Sequence, residues 1–116
     1  MSKNEISLDE AGRLLYKLMT ESIPVLAFFV SESGADTHLY GFVDSITDEL
    51  GLVISSTQGA PSISSTLGVP MGNPVGTGCR FSLGSATNED LALKFGNTAL
   101  SVRLPSGAHL TLFFTP

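Results

Sequence analysis

His38-Leu39-Tyr40-Gly41-Phe42-Val43-Asp44-Ser45-Ile46-Thr47-Asp48-Glu49-Leu50-Gly51-Leu52-Val53-Ile54 decides how this chain is read. Its first half alternates apolar and polar residues as a half-buried strand does, and Gly41 sits inside it where a side chain would obstruct a sharp bend. Asp48-Glu49-Leu50-Gly51 then supplies a turn, because Asp favours turn geometry and Gly accepts positive φ without steric cost. The chain resumes at once with the apolar Leu52-Val53-Ile54. The stretch is a bent hairpin that the remaining residues cover and close.

Before the hairpin, Ser7-Leu8-Asp9-Glu10 has the form of a capping box, the Ser7 hydroxyl accepting from the Glu10 amide while the Glu10 side chain reaches back. Leu8, Ala11, Leu14, Leu15, Leu18 and Met19 recur at spacings of three and four, one apolar helical face. Asp9, Arg13, Lys17 and Glu21 line the opposite side as a solvated face. Pro24 biases Ile23 towards extended geometry, so the helix is expected over about residues 8–21. Val25 to Val30 is apolar on both sides and rich in strand formers, which suits a strand between sheet and helix.

After the hairpin, no charged residue occurs between Leu50 and Arg80. Residues 58–78 mix Gly, Pro, Ser and Thr with isolated Ile, Leu, Val and Met, too apolar for an ordinary disordered linker. The segment is expected to leave the core as a long loop between the third and fourth strands: a flexible loop, an arm on a neighbouring subunit or a ligand lid. It is not a phosphate cradle. Gly76-Thr77-Gly78 opens onto Cys79-Arg80-Phe81 and not onto a helix, and no lysine follows. Arg80-Phe81-Ser82-Leu83 reads as a fourth strand. Residues 88–96 carry both helical and strand signals, read as one helical turn running into a strand. Leu100, Val102 and Leu104, a turn at Pro105-Ser106-Gly107, then Leu110, Leu112 and Phe114 make a closing β-hairpin.

The chain of 116 residues is the size of one domain and can bury roughly two thirds of its unfolded surface. Its net charge of -5 is uneven. Residues 1–50 hold nine acids against Lys3, Arg13 and Lys17, or -6, whereas residues 51–116 hold Glu89 and Asp90 against Arg80, Lys94 and Arg103, or +1. Contacts are therefore expected from the nearly neutral second half, while the chain as a whole has the wrong sign for casual binding to nucleic acid or anionic lipid. The single Cys79 has no partner for an internal disulfide and reads as a free, structural thiol. No Cys/His cluster calls for a metal, and no cofactor motif appears. The apolar run from Val25 to Val30 is far short of the roughly 20 residues of a spanning helix. The N-terminus has no signal-peptide core, so a soluble, cytoplasmic protein without membrane association is expected.

Catalysis finds little support in the sequence. His38 and His109 each sit in a strand pattern as surface or cross-strand residues, and no Gly-x-Ser-x-Gly elbow offers a serine nucleophile. The chain is read as not an enzyme. The elements together describe a mainly β fold, a single domain over residues 1–116. It is expected to be a small open SH3-like barrel of about five to seven antiparallel strands with an N-terminal helix.

The run Gly41 to Ile54 resembles the first signature of the Sm-like family, a glycine on a bent second strand followed by an Asp-containing turn and an apolar third strand. The order of helix and strands is similar too, over residues 8–54. Glu49 and Gly51 stand where RNA-binding members place an aromatic and an Asn, and no Arg-Gly pair precedes the last strand, so Asp48 is the polar position that carries over. The resemblance implies a non-catalytic, ring-forming module that binds single-stranded RNA or DNA weakly. Arg80, Lys94 and Arg103 would contact phosphates, with Tyr40 and Phe42 as stacking surfaces and Asp48 in the turn. The alternative is a scaffold homo-oligomer with a protein partner and no nucleic acid. In either case a ring is expected through Leu112, Phe113 and Phe114, since the C-terminal strand of an open barrel would leave its edge unpaired with Phe113 pointing outward.

Overall fold

Helix α1 (Leu8–Thr20) starts at the capping box, where the Ser7 hydroxyl accepts from the Glu10 amide at 3.2 Å. The reciprocal contact differs from expectation, because the Ser7 hydroxyl itself donates to Glu10 Oε1 at 3.3 Å. The helix ends by a Schellman arrangement: Ser22 takes φ 51° and the Ile23 amide donates to the Leu18 carbonyl at 3.1 Å. Pro24 then only seals a stop that Ser22 has made. Ala11, Leu15 and Leu18 are buried, and Leu14 and Met19 pack against the same core. Leu8 remains 47% exposed.

The structure, a computed structural model, describes residues 5–47, 51–56, 66–72, 76–85 and 98–115. The strands are β1 (Glu5–Ile6), β2 (Val25–Val30), β3 (Asp36–Thr47), β4 (Gly51–Ser56), β5 (Thr66–Val69), β6 (Arg80–Ser85), β7 (Thr98–Arg103) and β8 (His109–Phe114). They form one antiparallel sheet in the order β1-β6-β7-β8-β2-β3-β4-β5. The chain is thus mainly β, with one helix among the described residues. Two meanders, β2 to β5 and β6 to β8, are joined where β8 pairs with β2. The expected turn at residues 48–50 and the ambiguous segment 88–96 lie outside the described residues.

Strand β3 bends at a position other than the glycine. The register slips between Val43 and Ser45, which leaves Asp44 as the extra residue, while Gly41 pairs regularly with Val25 and Ser56. The reason lies in the pattern of burial: Val43 is buried and Ile46 also packs on the core, three residues apart. A regular strand would send them to opposite faces, and one bulged residue restores both to the same side. The Ser55 hydroxyl donates to the Asp44 carboxylate at 3.2 Å across the bulge.

Part of the expected long loop belongs to the core. Within residues 58–78, β5 pairs with β4, Leu52 opposite Val69 and Ile54 opposite Leu67. Leu67, Val69 and Met71 are buried, and Gly68 and Pro70 between them are exposed. This is strand alternation whose outward positions are held by residues that ordinarily break strands. Gly51, with φ 73°, is enclosed by the same packing, since a Cβ there would collide with the Val69 carbonyl. Residues 57–65 and 73–75 lie outside the described residues. With β1 and β5 added, the sheet has eight described strands, not five to seven.

The C-terminal strand is also placed differently. Strand β8 is paired on both sides, with β7 and with β2, and Leu112 and Phe114 are fully buried in the chain's own core. They cannot form an interface between copies. The sequence order misled because a chain-terminal strand need not be sheet-terminal; the ends of the described sheet are β1 and β5.

Candidate functional site

Strand alternation divides β6, β7 and β8 between two faces. Phe81, Val102 and Leu110 form a buried row, so their neighbours Arg80, Ser82, Ser101, Arg103, His109 and Thr111 point to the opposite, outer face. The register assembles this face in rows. Arg80 lies opposite Arg103, Arg103 opposite His109, and His109 opposite Val30. The next row runs Ser82, Ser101, Thr111, Phe28 and His38, and the one beyond it passes from Ala99 through Phe113 and Leu26 to Tyr40. Phe42 follows on β3, opposite Ser55.

The centre of the face is aromatic. Phe28 meets Phe113 edge-on, centroids 5.6 Å apart at 90°, and the His38 ring at 5.5 Å. Phe28, Phe113, Tyr40 and Phe42 are all half-buried. Such a surface offers flat apolar area with polar edges.

One end of the face is cationic. A cavity of about 230 Å³ is lined by Glu5, Arg80, Phe81, Ser82, Ser101, Arg103 and His109. Glu5 reaches it because β1 pairs with β6, and its Oε1 lies 3.3 Å from Arg80 Nη2. Arg103 has no ion-pair partner among the described residues. Burial, with the Arg103 guanidinium as the second cause, lowers the His109 imidazole below its ordinary pKa, so it is neutral at pH 7. With Arg80 offset by Glu5, one positive charge among the lining groups is left uncompensated. Like charges directly opposite each other on neighbouring strands are unfavourable, so the Arg80 and Arg103 pair is a feature that a bound anion would relieve.

Of the residues singled out in the sequence, Tyr40, Phe42, Arg80 and Arg103 share this one face, and Arg80 and Arg103 are direct neighbours. Asp48 and Lys94 lie outside the described residues. Phe113 is on the outer face but packs on Phe28 within its own chain. Sequence reasoning missed Phe28 and Glu5 as neighbours of the site and assigned His109 no role. His109 was within reach, because a hairpin turning at residues 104–108 places Arg103 opposite His109. Cys79 is half-buried, its thiol donates to the Met71 carbonyl at 3.8 Å, and burial raises its pKa, as suits a structural thiol.

A second concavity, about 270 Å³ and mainly apolar, lies beside α1 between Leu8, Gly12, Tyr16, Met71 and Gly76. Tyr16 there is 61% exposed. Among the described residues, no three His, Cys, Asp or Glu side chains gather as metal ligands, and no helix is long and apolar enough to cross a membrane. No family model matches the chain, and neither a curated protein nor a solved structure matches it.

Proposed function

We propose that this protein is a non-catalytic binding module of Sm-like type that takes single-stranded nucleic acid, RNA in the first instance, on the outer face of its sheet. The observation that carries the reading is the sharing of one face by Tyr40, Phe42, Phe28 and Phe113 with Arg80 and Arg103. Bases stack on half-exposed rings and phosphates pair with guanidinium groups, the two components of sequence-tolerant single-strand binding. With a net charge of -5 and so few cations per chain, one copy binds weakly, and a closed ring gathers several such faces. In this reading the open barrel closes into a cytoplasmic ring through the ends of the described sheet, β1 and β5, because β8 is already paired on both sides.

The alternative, a scaffold that holds a protein partner, is favoured by the apolar concavity beside α1 with exposed Leu8 and Tyr16. Fluorescence anisotropy of labelled oligo-U and the matching DNA strand separates the two. Weak binding that falls steeply with salt, and is reduced by Arg80→Ala and by Tyr40→Ala, supports the nucleic-acid module. Absence of binding at low salt supports the scaffold.

A further inference from the structure

Two observations about the cationic end of the outer face go further than single-strand binding in general. Among the described residues, Arg80 and Arg103 are the only Arg or Lys side chains on the sheet, and both line one cavity. A strand held along its length needs cations repeated at the spacing of its phosphates, and this face concentrates them at a single point. We propose that the cavity between β6, β7 and β8 is a site for one phosphomonoester, presented either by a free nucleoside monophosphate or by the phosphorylated end of a strand.

The chemistry of the lining supports a phosphomonoester over a carboxylate or a diester. Arg80, Arg103 and His109 occupy one row on three adjacent strands, about 5 Å apart, and all three line the cavity with groups that can donate N–H bonds. A phosphomonoester offers three terminal oxygens to such a set, a carboxylate only two. Ser82 and Ser101 add hydroxyls from the next row. The monoester carries close to two negative charges near pH 7 where a diester carries one, so the uncompensated Arg103 selects the chain end over internal phosphates. A cavity of about 230 Å³ is below the size of a site for a whole cofactor, but it can hold a phosphate with part of its sugar.

The base has a place as well. From His109, which lies opposite Val30, the Phe28 position is one strand across and two residues along, about 8 Å away. Phe28 and His38 present their rings there. Phosphate in the cavity and base over Phe28 therefore describe one bound nucleotide. For a strand end the inference rests on the nucleic-acid reading; for a free nucleotide it does not.

Calorimetry with uridine 5′-monophosphate, uridine and inorganic phosphate, together with anisotropy of oligo-U carrying a 5′-phosphate or a 5′-hydroxyl, tests the site. The monophosphate should bind at least about tenfold more tightly than uridine, and Arg103→Ala should erase that preference. Arg103→Lys should restore part of it, and thermal melts should show both variants folded. Preference for the monophosphate without binding of either oligonucleotide supports the site and sinks the strand reading. Equal binding of both oligonucleotides with no competition by the monophosphate overturns the site and leaves the strand reading standing. Equal affinity for uridine and its monophosphate, or a folded Arg103→Ala that keeps the preference, overturns the site.

Discussion

Arg103→Thr should make the ligand-free protein slightly more stable while removing its capacity for phosphate. Arg103 faces Arg80 directly across β6 and β7, and both are exposed. If their guanidinium groups splay to about 7 Å, Coulomb repulsion in water is about 0.6 kcal/mol. The Glu5 carboxylate, 3.3 Å from Arg80, offsets part of this, and salt screens the remainder over a Debye length of roughly 8 Å. Threonine suits a strand better than arginine, which adds a few tenths of a kcal/mol. The net gain is about 0.5 kcal/mol, or about 2 °C in melting temperature for a chain of this size. Urea unfolding at low and high salt should show the difference shrinking as salt rises. Phosphate at ten times its dissociation constant should stabilise the parent by about 1.4 kcal/mol and leave the variant unmoved. A variant less stable than the parent at low salt, or equally stabilised by phosphate, would refute the reasoning.

Other substitutions test the fold that supports the site. Gly51→Ala forces a side chain into positive φ against the Val69 carbonyl and should cost at least about 2 kcal/mol. Gly12→Ala, with open space around the new Cβ, should gain up to about 1 kcal/mol by helix propensity; chemical denaturation of the pair measures both. Met71→Ala should cost about 2 to 4 kcal/mol if residues 66–71 belong to the core, and no loss in the melting curve would return them to the loop. His109 has a lowered pKa, so the unfolded chain binds its proton first and stability falls as pH drops below about 6.5. The charged groups around it are Arg103 across the strand pair and Arg80 and Glu5 in the same cavity, with apolar Val30 on its other flank. His109→Gln should flatten that part of the pH profile, read by melts from pH 7.5 to 5.

What was legible in the sequence was what local spacing controls. Helix α1 declared itself through the capping box and the recurrence from Ala11 to Met19, and the β7 and β8 hairpin through two alternating runs around Pro105-Ser106-Gly107. Strand β5 is hidden because Gly68 holds an outward position within it and Pro70 follows it directly, so the composition reads as loop while the burial of Leu67, Val69 and Met71 has the period of two of a strand. Residue type alone points to Gly41 for the bend in β3, whereas the need to bury both Val43 and Ile46 puts the bulge at Asp44. Tyr40 and Phe42 could be placed on one face by alternation alone. The neighbouring of Arg80 and Arg103 could not, since it depends on the register between strands separated by residues 86–97. The interface assigned to Leu112 and Phe114 failed for a topological reason: β8 enters the middle of the sheet.

The central claim is that the outer face of the sheet is the binding surface. Amide chemical-shift mapping of the labelled protein during titration with 5′-phosphorylated oligo-U tests it residue by residue. Shifts confined to Phe28, His38, Tyr40, Ser82, Ser101, Arg103, His109 and their strand neighbours are the predicted result. Shifts gathered on α1 around Leu8, Gly12 and Tyr16, or none at millimolar nucleotide, would contradict it.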